Sequence, residues 1–242
     1  CIDVINHKAF LSPRKVMVVA TTDECVEELL PPFEVDTLSV LGDDGPGAAL
    51  VNLGNTCFLN AALQCIAHTP ALLNFIKSPY SHTKYIEKHK LESDWFKVFE
   101  TAINAMRTKT VPLRPTPFIN ILPKIIHGYV HGRQEDAHEF LVGLLQHLQD
   151  TALEAHRRAL RLAPDTLKRR PALALSTSVA QLFGGTLLSR VECLGCGAVS
   201  DSREPFFDLS LEVAGGSLAA CLARFTAPEA LADPYSCEGC RR

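Results

Sequence analysis

Cys57 follows a Gly54-Asn55-Thr56 turn and opens a run in which Phe58, Leu59, Ala62, Leu63 and Ile66 recur at helical spacing. The pattern predicts a helix with the thiol in its first turn and Asn55 or Thr56 as its cap. Thr69-Pro70 closes that helix and starts another, with Pro70 at the first position. At a helix start the unpaired backbone N–H groups and the helix dipole favour negative charge, which suits a thiolate, the form that attacks a carbonyl. Gly54 lets a substrate backbone approach with no side chain in the way. Acyl transfer also needs donors for an oxyanion, and Asn52 and Asn55 offer side-chain amides beside the N–H groups of the turn. On spacing alone another reading stands beside this one: Cys57 as a small buried apolar residue, and the asparagines as turn formers. Cys25 and Cys65 have no comparable surroundings.

A second chemical pattern lies in the last fifty residues. Cys193-x-x-Cys196 and Cys237-x-x-Cys240 present four sulfurs in two knuckles, with Gly195, Gly197 and Gly239 allowing tight turns. Zinc takes four thiolates tetrahedrally in a closed structural site. The alternatives are two unrelated surface turns or a dithiol redox pair, although redox chemistry would not need the motif twice. Nine cysteines are an odd number and are unevenly placed, which argues against a secreted disulfide framework. A reducing compartment follows, so an intracellular protein of cytoplasm or nucleus is expected.

The elements that must hold these residues are legible in part. The chain has 242 residues, 47% hydrophobic and 21% charged, enough for a sizeable core. Its net charge of −3 gives no case for nucleic acid or an anionic membrane as the main partner. No apolar run approaches the ~18 residues that span a bilayer, and the first thirty residues lack a secretory signal pattern. Residues 1–46 carry no assignable chemistry and end in a glycine- and aspartate-rich run, 42–47, that reads as a flexible boundary. They are either an added structural element or a leader. A further helix is predicted around 92–106, carrying Trp95, Phe96, Phe99 and Ile103. The clearest helix lies near 134–149, with Ala137, Phe140, Leu141, Leu144, Leu145 and Leu148 as an inward stripe. The Arg- and Lys-rich stretch 155–170 reads as a solvated helix end and linker, or as a binding patch. Short β-forming runs follow at 186–192 and 206–213. Helices first and strands later imply α+β rather than a doubly wound sheet.

The segment Asn52-Leu53-Gly54-Asn55-Thr56-Cys57-Phe58-Leu59-Asn60 with Leu63-Gln64 resembles the cysteine box of the ubiquitin-specific proteases. Gln134-Glu135-Asp136-Ala137-His138-Glu139-Phe140 is similar to that family's second motif. Phe183-Gly184-Gly185, Ser189-Arg190-Val191 and Cys193-Leu194-Gly195-Cys196 resemble the start of its zinc-bearing portion. Phe225-Thr226-Ala227-Pro228-Glu229 with Cys237-Glu238-Gly239-Cys240 continues the likeness. Four motifs in the right order, over residues 47–242, make it specific. Phe58, Ala61 and Glu135 depart from the commoner tyrosine, serine and glutamine, and none of the three changes removes a chemical group the reaction uses.

The resemblance implies a papain-like α+β fold: residues 47–180 a helical thumb, and 181–242 the start of a palm with zinc-binding β fingers. It implies Cys57 as nucleophile toward the carbonyl of ubiquitin's C-terminal glycine, and Asn52 as an oxyanion donor. Asp136 would lie near the channel that grips the ubiquitin tail, and its position also suits a helix N-terminal acid. Cys193, Cys196, Cys237 and Cys240 would hold a structural zinc that ties the fingers. The predicted partners are ubiquitin and ubiquitinated proteins. The family's catalytic histidine follows the second cysteine pair, so this chain is expected to lack its base, and His138 is read as a helix-surface or packing residue. The competing functions are a catalytically inactive ubiquitin-binding module and a zinc-ribbon adaptor, the latter leaving both thumb motifs unexplained.

Overall fold

The computed structural model describes residues 4–11, 46–169, 171–213, 216–230 and 236–240. Two compact units divide the chain: residues 20–182, and residues 1–19 together with 183–242. Cys25 and residues 42–45 of the glycine-rich run lie outside the described residues.

The first unit is helical. Its helices are Cys57–Ala67 (α1), Pro70–Lys77 (α2), His82–Lys88 (α3), Trp95–Thr108 (α4), Thr116–Ile125 (α5) and Ala137–Ala159 (α6). Leu59 and Leu63 of α1, Phe96, Phe99 and Ile103 of α4, Leu122 of α5, and Phe140, Leu144 and Leu148 of α6 are buried together as the core. Ala137 is exposed, because the inward stripe of α6 begins one turn later at Phe140. At the other end α6 continues past 149, since Ala152, Ala155 and His156 carry the stripe on and are buried. The basic stretch 155–170 therefore starts inside a packed helix. Glu154 holds Arg157 and Arg158 at 2.6 and 2.7 Å, the chain reverses at Arg161 (φ 52°), and a short helix follows at Thr166–Arg169 (α7).

Among α1–α6, two helices gave no clear signal in the sequence. Pro117 and Pro123 both lie within α5 and mask it. The short polar α3 buries only His82 and Ile86, and a buried carboxylate fixes it to α4. The His82 N–H, the Thr83 N–H and the Thr83 hydroxyl donate to Glu100 at 2.8, 2.8 and 2.5 Å. Burial dominates there and pushes the Glu100 carboxyl up from its usual range, against those donors. At the half-buried Asp94 burial also pushes upward, but the His82 imidazole at 2.7 Å, with the Lys97 and Phe96 N–H groups, holds the carboxyl below its usual range. Segment 46–51 runs along the end of α4. Ala48 N–H donates to the Met106 carbonyl at 2.7 Å, and Leu50 bridges Leu113 in parallel. Gly47, which the sequence grouped with a flexible boundary, is confined: φ is 76°, and a Cβ would lie 2.6 Å from the Met106 oxygen.

Beyond a 3-10 turn, Pro171–Ser176, the helix Ser178–Phe183 (α8) begins next to Thr177. That residue donates to Gln149 Oε1 at 2.5 Å, accepts from the Ala180 N–H, and is fully buried.

The second unit is a four-stranded antiparallel sheet in the order β3-β2-β1-β4. The strands are Val4–Leu11 (β1), Gly185–Cys193 (β2), Val199–Phe206 (β3) and Glu229–Ala230 (β4). A helix, Leu218–Phe225 (α9), starts from Ser217, whose hydroxyl accepts from the Ala220 N–H. Residues 4–11 are thus a sheet strand, paired along β2 from Val4↔Cys193 to Leu11↔Thr186. The predicted strand at 186–192 lies within β2. The one at 206–213 is displaced: β3 ends at Phe206, and 208–213 have no regular structure. The Cys193–Ala198 turn sets where pairing resumes, so the next eight residues ladder onto β2 whatever their polarity. Arg190 and Asp201 reinforce that ladder with two 2.8 Å bonds.

Candidate active site and cysteine cluster

The turn before α1 is organised around Asn52 and Thr56. Asn52 Oδ1 accepts from the N–H groups of Gly54 and Thr56 at 3.1 Å each, and from the Thr56 hydroxyl at 3.2 Å. Thr56 Oγ1, almost fully buried, accepts in turn from the Leu53 N–H at 3.0 Å. Because its neighbours are N–H donors, the oxygen of the Asn52 amide must face inward. Its Nδ2 has no partner among the described residues, and Asn52 is exposed. Thr56 occupies the N-cap position, but its side chain makes no cap bond. The first turn of α1, which begins with the exposed Cys57, keeps its N–H donors clear of any side-chain cap.

Asn55 neither caps the helix nor offers its amide to a substrate. It adopts φ 53°, and its Nδ2 donates to the Gly132 carbonyl at 2.6 Å. Sequence reasoning missed this bond and the role of Thr56. The Gly54-Asn55 pair, both at positive φ, was the one available signal for the backbone bend.

Asp136 is the N-cap of α6. Its Oδ1 accepts from the His138 and Glu139 N–H groups at 2.6 and 3.1 Å. The Glu139 and then the His138 N–H hold its carboxyl below the usual range. Its Oδ2 has no hydrogen-bond partner among the described residues. Phe58, second in α1, packs edge-on against Phe140, fourth in α6, with centroids 6.0 Å apart. The N-termini of the two helices are therefore neighbours: one is capped by a carboxylate, and the other carries an exposed thiol.

Four histidines of this unit are engaged elsewhere. His68 bonds the Gln64 and Pro46 carbonyls, and His82 bonds Asp94. His147 packs on Trp95, and His156 packs on Tyr85. His138 is exposed in the first turn of α6, off its buried stripe.

In the sheet unit, the side chains of Cys193, Cys196, Cys237 and Cys240 converge with all sulfurs within 4.8 Å of one another. Cys193–Cys240 and Cys196–Cys237 separations are 4.0 and 3.6 Å. The Gly197 N–H donates to the Cys193 carbonyl, and the Cys193 N–H to that of Ala198, which forms the first knuckle. A Cβ on Gly239 would lie 2.8 Å from that of Ala198, so the second knuckle needs glycine there. The Cys240 N–H, foremost among several donors, brings the Cys237 thiol down to about 7. The four cysteines could hold a metal ion.

The family described as Ubiquitin carboxyl-terminal hydrolase matches residues 48–231, and the chain belongs to that family. It is 34% identical over 245 residues to human Ubiquitin carboxyl-terminal hydrolase 42, covering 98% of this chain and 17% of that protein. It is 31% identical over 218 residues to human Ubiquitin carboxyl-terminal hydrolase 17-like protein 6, covering 89% of this chain and 50% of that one. The chain thus spans half or less of the length of these curated relatives. The mixed α/β architecture is consistent with the family. Among the described residues, no helix is long and apolar enough to cross a membrane.

Proposed function

We propose that this chain carries the nucleophile of a thiol-dependent deubiquitinase that cleaves the isopeptide or peptide bond after ubiquitin's C-terminal glycine. The Cys57 thiolate attacks that glycine's carbonyl carbon, and the oxyanion that forms accepts from the Cys57 N–H and Asn52 Nδ2. Collapse expels the amine, which leaves protonated, and a thioester remains on Cys57. Water then attacks the thioester, freeing ubiquitin's carboxylate and the thiol. The family resemblance assigns the proton transfers to a histidine C-terminal to the second cysteine pair. Asp136 uses Oδ1 to cap α6, which keeps Oδ2 for N–H groups of the extended tail.

The carrying observation is the pairing of an exposed cysteine at an uncapped helix start with an asparagine whose oxygen the turn consumes and whose amide nitrogen it does not. An exposed nucleophile beside an idle donor favours an enzyme over an inactive ubiquitin-binding module. In this reading the fold is papain-like, with residues 47–180 as thumb, 181–242 as the start of palm and fingers, and 1–46 as an extension that lends β1. Cys193, Cys196, Cys237 and Cys240 hold a structural zinc. Tetrahedral zinc with Zn–S of about 2.3 Å needs sulfurs roughly 3.8 Å apart, and the two separations here bracket that value. Such thiolates suit a reducing compartment, cytoplasm or nucleus.

Hydrolysis of a fluorogenic ubiquitin C-terminal amide, by protein that extends through that C-terminal histidine, tests the reading. Cys57→Ser should abolish turnover, and Asn52→Ala should lower kcat about 10²- to 10³-fold with little change in KM. Turnover by Cys57→Ser at the native rate would refute it.

A further inference from the structure

We propose that Asn55 is a positioning residue: its side-chain amide latches the turn before Cys57 to the 127–136 loop, holding the thiol and the Asp136 carboxylate at one spacing. The inference rests on the deubiquitinase reading above. Within the turn, the polar groups are satisfied without the Asn55 side chain, because Asn52 and Thr56 take the N–H groups of Leu53, Gly54 and Thr56 between them. The Asn55 amide is instead spent on a residue 77 positions away, through a 2.6 Å bond to the Gly132 carbonyl.

That bond has work to do, because the loop it reaches is lightly held. Gly128 and Gly132 have φ of 69° and 84°, and a Cβ on either would meet nothing within 4 Å among the described residues. Residues 131–134 are exposed. The loop's own backbone bonds are local: Tyr129 N–H to Ile126 at 3.4 Å, and Arg133 N–H to Val130 at 3.2 Å. Inside the core, α1 and α6 meet through Phe58 and Phe140. The α1–α6 interface lies within the core, and the Asn55–Gly132 bond adds a point of attachment outside it, at the helix starts. The positive φ of Asn55 aims its side chain across the gap, and asparagine tolerates that conformation better than most residues.

Asn55→Gly separates the side-chain bond from the backbone conformation, since glycine keeps positive φ and loses the amide. Asn55→Asp also tolerates that conformation but sets a carboxylate against the carbonyl. Both variants should slow labelling of Cys57 by saturating ubiquitin bearing a C-terminal electrophile, by about tenfold to a hundredfold, the scale set by misplacing a nucleophile by an ångström. Alkylation by iodoacetamide, which needs only the thiol, should be unchanged. Hydrogen exchange at 128–136 should rise in both. Native-rate ubiquitin labelling by Asn55→Gly would overturn the latch, and so would a matching fall in iodoacetamide alkylation. If the unsubstituted protein takes no ubiquitin label, the deubiquitinase reading fails separately. The latch then stands or falls on exchange, and an unchanged 128–136 loop in Asn55→Gly would overturn it.

Discussion

His156 lies in the last turn of α6, 1% exposed, its ring 4.4 Å from that of Tyr85 and its Nδ1 without a hydrogen-bond partner among the described residues. Burial, with a smaller contribution from the positive fields of His82 and His89, pushes its pKa down to about 3. The unfolded chain binds this proton near the ordinary value of about 6.5. Its folded value is the lower one, so the unfolded state takes the proton first. Stability is therefore complete above about 6.5 and is lost as pH falls from there toward about 3. At pH 5.5 the unfolded imidazole is protonated about ten to one while the folded one stays neutral. The cost is RT ln 11, about 1 to 2 kcal/mol, against about 0.1 kcal/mol or less at pH 7.5. Urea denaturation at both pH values, on the native protein and on His156→Leu, isolates this contribution because the other titrating groups are shared. The native protein should lose about 1 to 2 kcal/mol more than the variant between pH 7.5 and 5.5. Equal losses would refute the assignment of a buried neutral imidazole.

Gly143 faces the Ile125 carbonyl so closely that an added Cβ would sit 2.5 Å from the oxygen. Gly143→Ala should therefore lower the unfolding free energy by about 1 to 2 kcal/mol at unchanged m, overpacking outweighing the gain in helix propensity; a raised urea midpoint would contradict this. Thr177→Val leaves the Gln149 Oε1 without its buried donor and should cost about 1 to 3 kcal/mol in the same assay. On the proposed zinc site, Cys193→Ser should lower zinc content below one per chain and raise hydrogen exchange along β2 and β3. Full zinc content in that variant would remove the four-cysteine site.

Wherever apolar residues recur at one period, the sequence was informative. Phe58, Leu59, Leu63 and Ile66 announced α1, and Phe140 to Leu148 announced α6, because these side chains are buried for the reason they are apolar. Where polar groups hold an element, nothing periodic marks it. The short helix α3 depends on Glu100, eighteen residues on from His82, and β3 depends on a knuckle and a ladder rather than on its own Ser-Asp-Ser-Arg. At the site, residue types and spacing offered Cys57, Asn52 or Asn55, and the four cysteines, while the choice of Asn52 and the addition of Asp136 came from the family resemblance. They could not say which atom of Asn52 the turn would consume, nor that Asn55 would bond Gly132, because both depend on a bend at positive φ and on a loop 77 residues away.

Intact-mass analysis after incubation with ubiquitin carrying a C-terminal thiol-trapping electrophile tests the central claim most directly. Folded protein that extends through the histidine the resemblance places after the second cysteine pair should gain the mass of one ubiquitin, Cys65→Ala should gain the same, and Cys57→Ala should gain none. An adduct that persists in Cys57→Ala, or no adduct on the folded native protein, would contradict the account.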